Sequence, residues 1–99
     1  MKDRFQTALK IDPGHPALAG HFPGNPVVPG VVVLERVAAA LRAWRGERVQ
    51  KLDAKFVQPL LPDEAATIEL DAEPARVRFA VTRADGVPLA RGTLQSTQG

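Results

Sequence analysis

The sequence predicts an α+β domain in which one antiparallel five-stranded sheet wraps around a single central helix. Three observations point there. One stretch, Gly30 to Trp44, is long and helix-forming; five shorter ones alternate apolar and polar residues with the period of a strand; and the segment between the first strand and the helix is crowded with proline and glycine. The 99 residues are read as one domain, 1–99, near the lower end of what builds its own core.

The first strand is read over Phe5 to Ile11, where Phe5, Thr7, Leu9 and Ile11 alternate, and Asp12-Pro13-Gly14 stops it. The loop from there to Pro29 is long for so small a domain, which marks it as functional. Pro29 suits the first position of a helix, because the amide hydrogen it lacks would be unpaired there anyway. Val31, Val32 and Val33 favour a strand, but Leu34 to Trp44 is strongly helix-forming and decides the matter. Apolar residues occupy almost every angle of that helix, so it is expected to be buried on most sides, with Gly46 as its stop. Four strands follow: Val49 to Val57, Ala66 to Ala72, Arg76 to Arg83 and Leu89 to Thr97. Along the first of these, Leu52, Ala54 and Phe56 share one face. Ala84-Asp85-Gly86 is a hairpin signal.

Composition narrows the function. Thirteen basic and eleven acidic residues leave a net charge of +2. The densest basic region is Arg36, Arg42, Arg45, Arg48, Lys51 and Lys55. It holds Trp44 as its one aromatic residue and the chain has no tyrosine, so no nucleic-acid partner is expected. A solvated helix end and strand face explains the charge, and such a patch also suits an acidic partner protein. The absence of cysteine excludes disulfides, thiol nucleophiles and thiolate metal sites. No His/Asp/Glu cluster has metal-ligand spacing, and no metal is expected. MKDRFQTALK lacks the apolar core of a signal peptide, and no apolar run approaches the length of a membrane span. A cytoplasmic protein is expected.

The richest segment is Gly20 to Glu35, GHFPGNPVVPGVVVLE. It places His21 in a proline-stiffened loop, a Pro-Gly step at the helix start, and Glu35 within an apolar run. His21 and Glu35 are fourteen residues apart, too far to be neighbours on one helix; a loop folding back, or a two-fold partner chain, brings them together. An imidazole and a carboxyl group meeting in an apolar slot can take a proton off carbon and protonate a leaving group. His21 is the candidate base, since neutral imidazole accepts a proton near working pH. Glu35 is the candidate acid, because a carboxyl group among Val31 to Leu34 is expected to be poorly solvated and to keep its proton. Gly30 offers an unpaired amide at a helix N-terminus, a donor for a developing oxyanion. His15 is read as a loop-packing residue, and Ser96 carries no nucleophile signature. Phe22, Phe56, Phe79 and Leu60 are read as core, with lining of an acyl tunnel as their other use.

His21-Phe22-Pro23-Gly24, Pro26, Pro29-Gly30-Val31 and Glu35 together resemble the motif HFPGxPxxPGVxxxE of the 3-hydroxyacyl-acyl-carrier-protein dehydratases, enzymes of the hot-dog fold. A weaker match runs from Ala54 to Pro62, similar to that family's F-x-x-P-x-x-P turn, although Asp63-Glu64 stand where the family has Gly-Asp. The resemblance implies a dehydratase that converts a 3-hydroxyacyl thioester to a trans-2-enoyl thioester in fatty-acid or related acyl-chain biosynthesis. It implies His21 and Glu35 as catalytic residues, with Pro29, Gly30, Val31 and Phe22 at the substrate. The substrate would ride on the phosphopantetheine of an acyl carrier protein, with no other cofactor. The family's glutamate works with the histidine of the other subunit, which implies a homodimer or larger assembly. The chain looks most like the short dehydratases of aryl-polyene and related specialised lipid pathways, lacking the N-terminal helix of the longer fatty-acid enzymes. Two alternatives stay open: a hot-dog acyl thioesterase, which would not need His21, and a non-catalytic carrier-binding or dimerisation module.

Overall fold

The computed structural model describes residues 3–18 and 27–98. The chain runs β1 (Arg4–Leu9), a single 3-10 turn (Pro16–Leu18), α1 (Gly30–Arg45), β2 (Glu47–Phe56), β3 (Ala66–Ala72), β4 (Val77–Arg83) and β5 (Pro88–Gln98). The five strands form one antiparallel sheet in the order β1-β3-β4-β5-β2. The α+β reading therefore holds, with element boundaries within two residues of those expected. β1 and β2 are the two edges, and β2 is the longer of them.

Alternation decides which face of the sheet is covered. Leu9, Ile68, Leu70, Val77, Phe79, Val81 and Leu94 point to one side and are buried there under Val32, Val33, Val37, Ala40 and Leu41 of α1. Pro29 stands just before the helix, with φ −59° and ψ 143°, so Gly30 and not the proline is the first helical residue. The Pro29 carbonyl accepts from the amide of Val32 at 3.0 Å. At the other end Gly46 takes a left-handed φ of 68°, and its amide donates to the Arg42 carbonyl at 2.8 Å. This is a glycine C-cap, free of the steric cost a side chain would bring.

Two expectations are corrected. The helix is not buried on most sides within this chain: Val31, Glu35, Arg36, Ala39, Arg42 and Ala43 are exposed, and Val31 is 63% exposed. The angles of the wheel were apolar, but one sheet covers only one face. Nor is β2 a simple alternation. The register shifts between Val49 and Lys51, so that Val49 faces Ser96 while Leu52 faces Leu94. A bulge at Gln50 thereby puts Val49 and Leu52 on the same, inner face, as bulges do by adding one residue to one strand.

Further along β2, Ala54 and Phe56 also lie on the inner side, opposite Gly92 and Ala90, yet both are exposed. At this end of the strand only the start of α1 comes close, at Gly30 beside the Phe56 ring, and it leaves both side chains largely uncovered. Among the described residues no helix is long and apolar enough to cross a membrane.

Candidate active site

The start of α1 opens onto a cavity of about 340 Å3. Gly30 and Val33 of the helix form one wall. Val81, Leu89 and Ala90 of the sheet form another, and Phe56 and Leu60 close the sides. Among the described residues, Gln58 is the single polar side chain of the lining and no charged side chain enters it. The size and apolar character suit a flexible hydrocarbon group rather than a charged metabolite.

Local sequence makes this cavity. β2 ends at Phe56, and the chain then turns over the sheet, where the amides of Val57 and Gln58 both donate to the Leu89 carbonyl, at 2.8 and 3.3 Å. The amide of Val28 donates to the Leu60 carbonyl at 2.8 Å, tying the approach to the helix to the segment after β2. That segment closes with a tight turn at Pro62-Asp63-Glu64. Asp63 has a φ of 69°, a left-handed conformation in a residue other than glycine. Its amide donates to the Ile11 carbonyl at 2.7 Å, while the Glu64 carboxylate accepts from the Leu61 amide at 2.9 Å. The departure from Gly-Asp thus keeps the backbone conformation a glycine would adopt, since aspartate tolerates it better than most side chains.

The sequence-predicted residues meet different fates. Gly30 lines the cavity, and its amide has no acceptor among the described residues. Such a helix-start amide carries positive partial charge and is a free hydrogen-bond donor at the cavity. Pro29 fixes the start of the helix but is not in the lining, and Val31 faces solvent on the other side of the helix. Glu35 lies one turn beyond Val31 on that same exposed face. The poorly solvated setting expected for its carboxyl group is therefore not provided by the described residues, because Val32 and Val33 turn into the core and Val31, on the same face as Glu35, is itself exposed. His21 and Phe22 lie outside the described residues. His15 belongs to the loop turn, where its Nδ1 accepts from the Ala17 amide at 3.0 Å.

Of the four side chains read as core, Phe79 and Leu60 are buried, and Leu60 also lines the cavity. Phe56 is corrected: it is 48% exposed and forms a cavity wall. Leu89, Ala90 and Val81 went unnoticed as lining residues. Alternation marks Val81 as inward-facing but not as facing a space, and it cannot assign one face to both of the adjacent residues Leu89 and Ala90.

Unpaired charge is spread over the helix and the sheet. Arg36 and Arg42 on α1, Arg48, Lys51 and Lys55 on β2, and Arg91 on β5 are exposed and form no ion pair with any described residue. Lys55 and Arg91 face each other directly across β2 and β5. Like charges in that position repel.

Comparison with known proteins places the chain in a family. The family model described as ApeI dehydratase, ApeI-like, matches residues 1–93. The chain is 34% identical over 102 aligned residues to the 3-hydroxyacyl-acyl-carrier-protein dehydratase FabZ of Cronobacter sakazakii, covering 90% of this chain and 66% of that protein. It thus spans just under two thirds of the length of the curated relatives it matches. Among solved structures it is similar to a chain of the dehydratase heterocomplex ApeI:P from Xenorhabdus doucetiae, with a TM-score of 0.84 at 19% identity over 99% of this chain and 90% of that one. An uncharacterised protein from Erwinia carotovora subsp. atroseptica superposes with a TM-score of 0.82 at 24% identity, over 99% of this chain and 87% of that one.

Proposed function

The chain belongs to the ApeI-like dehydratase family, and on that footing we propose that it removes water from 3-hydroxyacyl thioesters carried on an acyl carrier protein. The product is a trans-2-enoyl thioester. The observation that carries this reading is the Gly30 amide at the mouth of an apolar cavity, inside the segment that joins His21 to Glu35.

The reaction divides among three groups. The thioester carbonyl accepts a hydrogen bond from the Gly30 amide, which stabilises charge as it develops on that oxygen. His21 takes the proton from C2. Glu35 gives a proton to the hydroxyl leaving C3, so that water departs and the C2–C3 double bond forms. The acyl chain beyond C3 occupies the apolar cavity, and the carrier's phosphopantetheine supplies the thioester with no other cofactor.

Glu35 faces away from its own chain's cavity, which supports a site completed by a second copy. The unpaired long edge of β2, the exposed end of that strand and the exposed Val31–Glu35 face of α1 adjoin one another. A two-fold partner docked there would bury Val31, remove water from Glu35 and bring its own His21 loop to that carboxyl group. The unpaired cations of α1, β2 and β5 are suited to guiding an acidic carrier to the site. The protein is proposed to act in the cytoplasm.

Mass spectrometry of carrier-bound 3-hydroxyacyl thioesters tests this function. Loss of one water from the acyl group supports it. Release of free acid would indicate a thioesterase, and an unchanged thioester on a carrier that still binds would indicate a non-catalytic module.

A further inference from the structure

We propose that the ring of Phe56 is the specificity-determining wall of this site, selecting acyl groups that are narrow next to the reacting carbons. The inference rests on the acyl-thioester reading above and adds a residue that the His21–Glu35 segment does not contain.

Three observations carry it. The ring closes the gap between the end of β2 and the start of α1: the three atoms nearest the position of a β-carbon on Gly30 are Cζ, Cε2 and Cε1 of Phe56, at 2.8, 3.0 and 3.3 Å. Phe56 therefore lies beside the amide that receives the thioester carbonyl, not at the far end of the cavity. Its backbone is held. Its Cα is paired across the sheet with that of Ala90, and the two amides that follow donate to the Leu89 carbonyl. Within a single copy the ring is 48% exposed, whereas the opposing walls, Val81, Leu89 and Ala90, are buried. With its backbone fixed, the ring is a wall that yields only by changing rotamer.

The position dictates what the wall reads. With the carbonyl at Gly30, C3 and the carbons after it pass between the Phe56 ring and the small side chain of Ala90. A straight chain slides along the flat face of the ring. A branch at C4, or a phenyl group on C3, needs the space the ring occupies. Chain length, by contrast, is read deeper in the cavity, away from this residue.

The experiment compares wild type, Phe56→Leu and Phe56→Ala on straight and 4-methyl-branched 3-hydroxyacyl thioesters. Calorimetric binding of the corresponding saturated acyl-pantetheines, which cannot react, provides the second readout. Phe56→Ala is expected to raise the branched-to-straight ratio of kcat/KM by at least about tenfold, the scale on which hydrophobic pockets discriminate small differences in bulk. Phe56→Leu should fall between, and the binding ratios should move in parallel. Straight-chain binding with ratios unchanged in both variants would overturn the role of Phe56 and leave the acyl reading intact. If wild type binds no acyl-pantetheine at all, the acyl reading fails and this proposal fails with it.

Discussion

The ring of Phe56 fills the space that a side chain on Gly30 would need, with Cζ only 2.8 Å from the position of a Gly30 β-carbon. A glycine at the first helical position and an aromatic at the end of β2 thus form one unit, although 26 positions separate them in sequence. The obstructing atoms are the far end of a half-exposed side chain, so Gly30→Ala is expected to fold with little change in Tm. Activity is another matter, because the displaced ring would intrude on the reacting carbons. A fall of about a hundredfold in kcat/KM is expected, the usual cost of a small misplacement at the chemistry. Adding Phe56→Ala should recover part of it, and a double-mutant cycle on kcat/KM measures the coupling.

The exposed Val31–Glu35 face leads to a prediction about assembly. Wild type is expected to sediment as a dimer or larger species. Val31→Lys, which puts a charge at the centre of the proposed interface, should shift it to monomer and abolish turnover together. Mixing His21→Ala with Glu35→Gln, each inactive alone, should restore part of the activity, since mixed dimers regain one complete site. A mixture as inactive as its components would contradict a site shared between copies.

Asp63 offers a test of stability alone. At its φ of 69° a β-branched side chain is strained, so Asp63→Val is expected to lower stability by about 1–2 kcal/mol in urea denaturation. Asp63→Gly relieves the backbone but also removes the contact with Lys10 at 3.6 Å. That pair is exposed and worth little, so Asp63→Gly should not be destabilising.

The β4–β5 hairpin carries a pH signature. The Asp85 carboxyl is held below its ordinary range chiefly by hydrogen bonds from Arg83, at 2.8 and 3.0 Å, with the Val87 amide adding a further one. A carboxyl lowered in the folded state stabilises above its unfolded pKa, and that contribution is lost as pH falls through the folded value. Arg83→Gln should move the Asp85 titration, followed by NMR, back towards the ordinary carboxylate range.

Much of this was legible in the residues. Ala66 to Ala72 was bounded correctly because Ile68 and Leu70 alternate cleanly and both reach the core. Pro29 and Gly46 bracketed the helix through backbone chemistry that does not depend on the rest of the fold. The bulge at Gln50 was not legible, since a register shift is a property of two strands and leaves no mark on one. The fate of Phe56 was hidden for a related reason: alternation assigns a face, but whether that face is covered depends on how far the helix reaches. The turn of the helix separates Glu35 from the cavity that Gly30 lines, although both residues belong to one motif.

The most direct test of the central claim is the mass-spectrometric fate of 3-hydroxyacyl groups on an acyl carrier protein, with wild type, His21→Ala and Glu35→Gln in parallel. The account predicts loss of one water with wild type and a rate at least about a hundredfold lower with either variant, as expected when a general acid or base is removed. Equal dehydration by wild type and both variants would contradict the assigned chemistry, and no dehydration by wild type at any chain length would contradict the function.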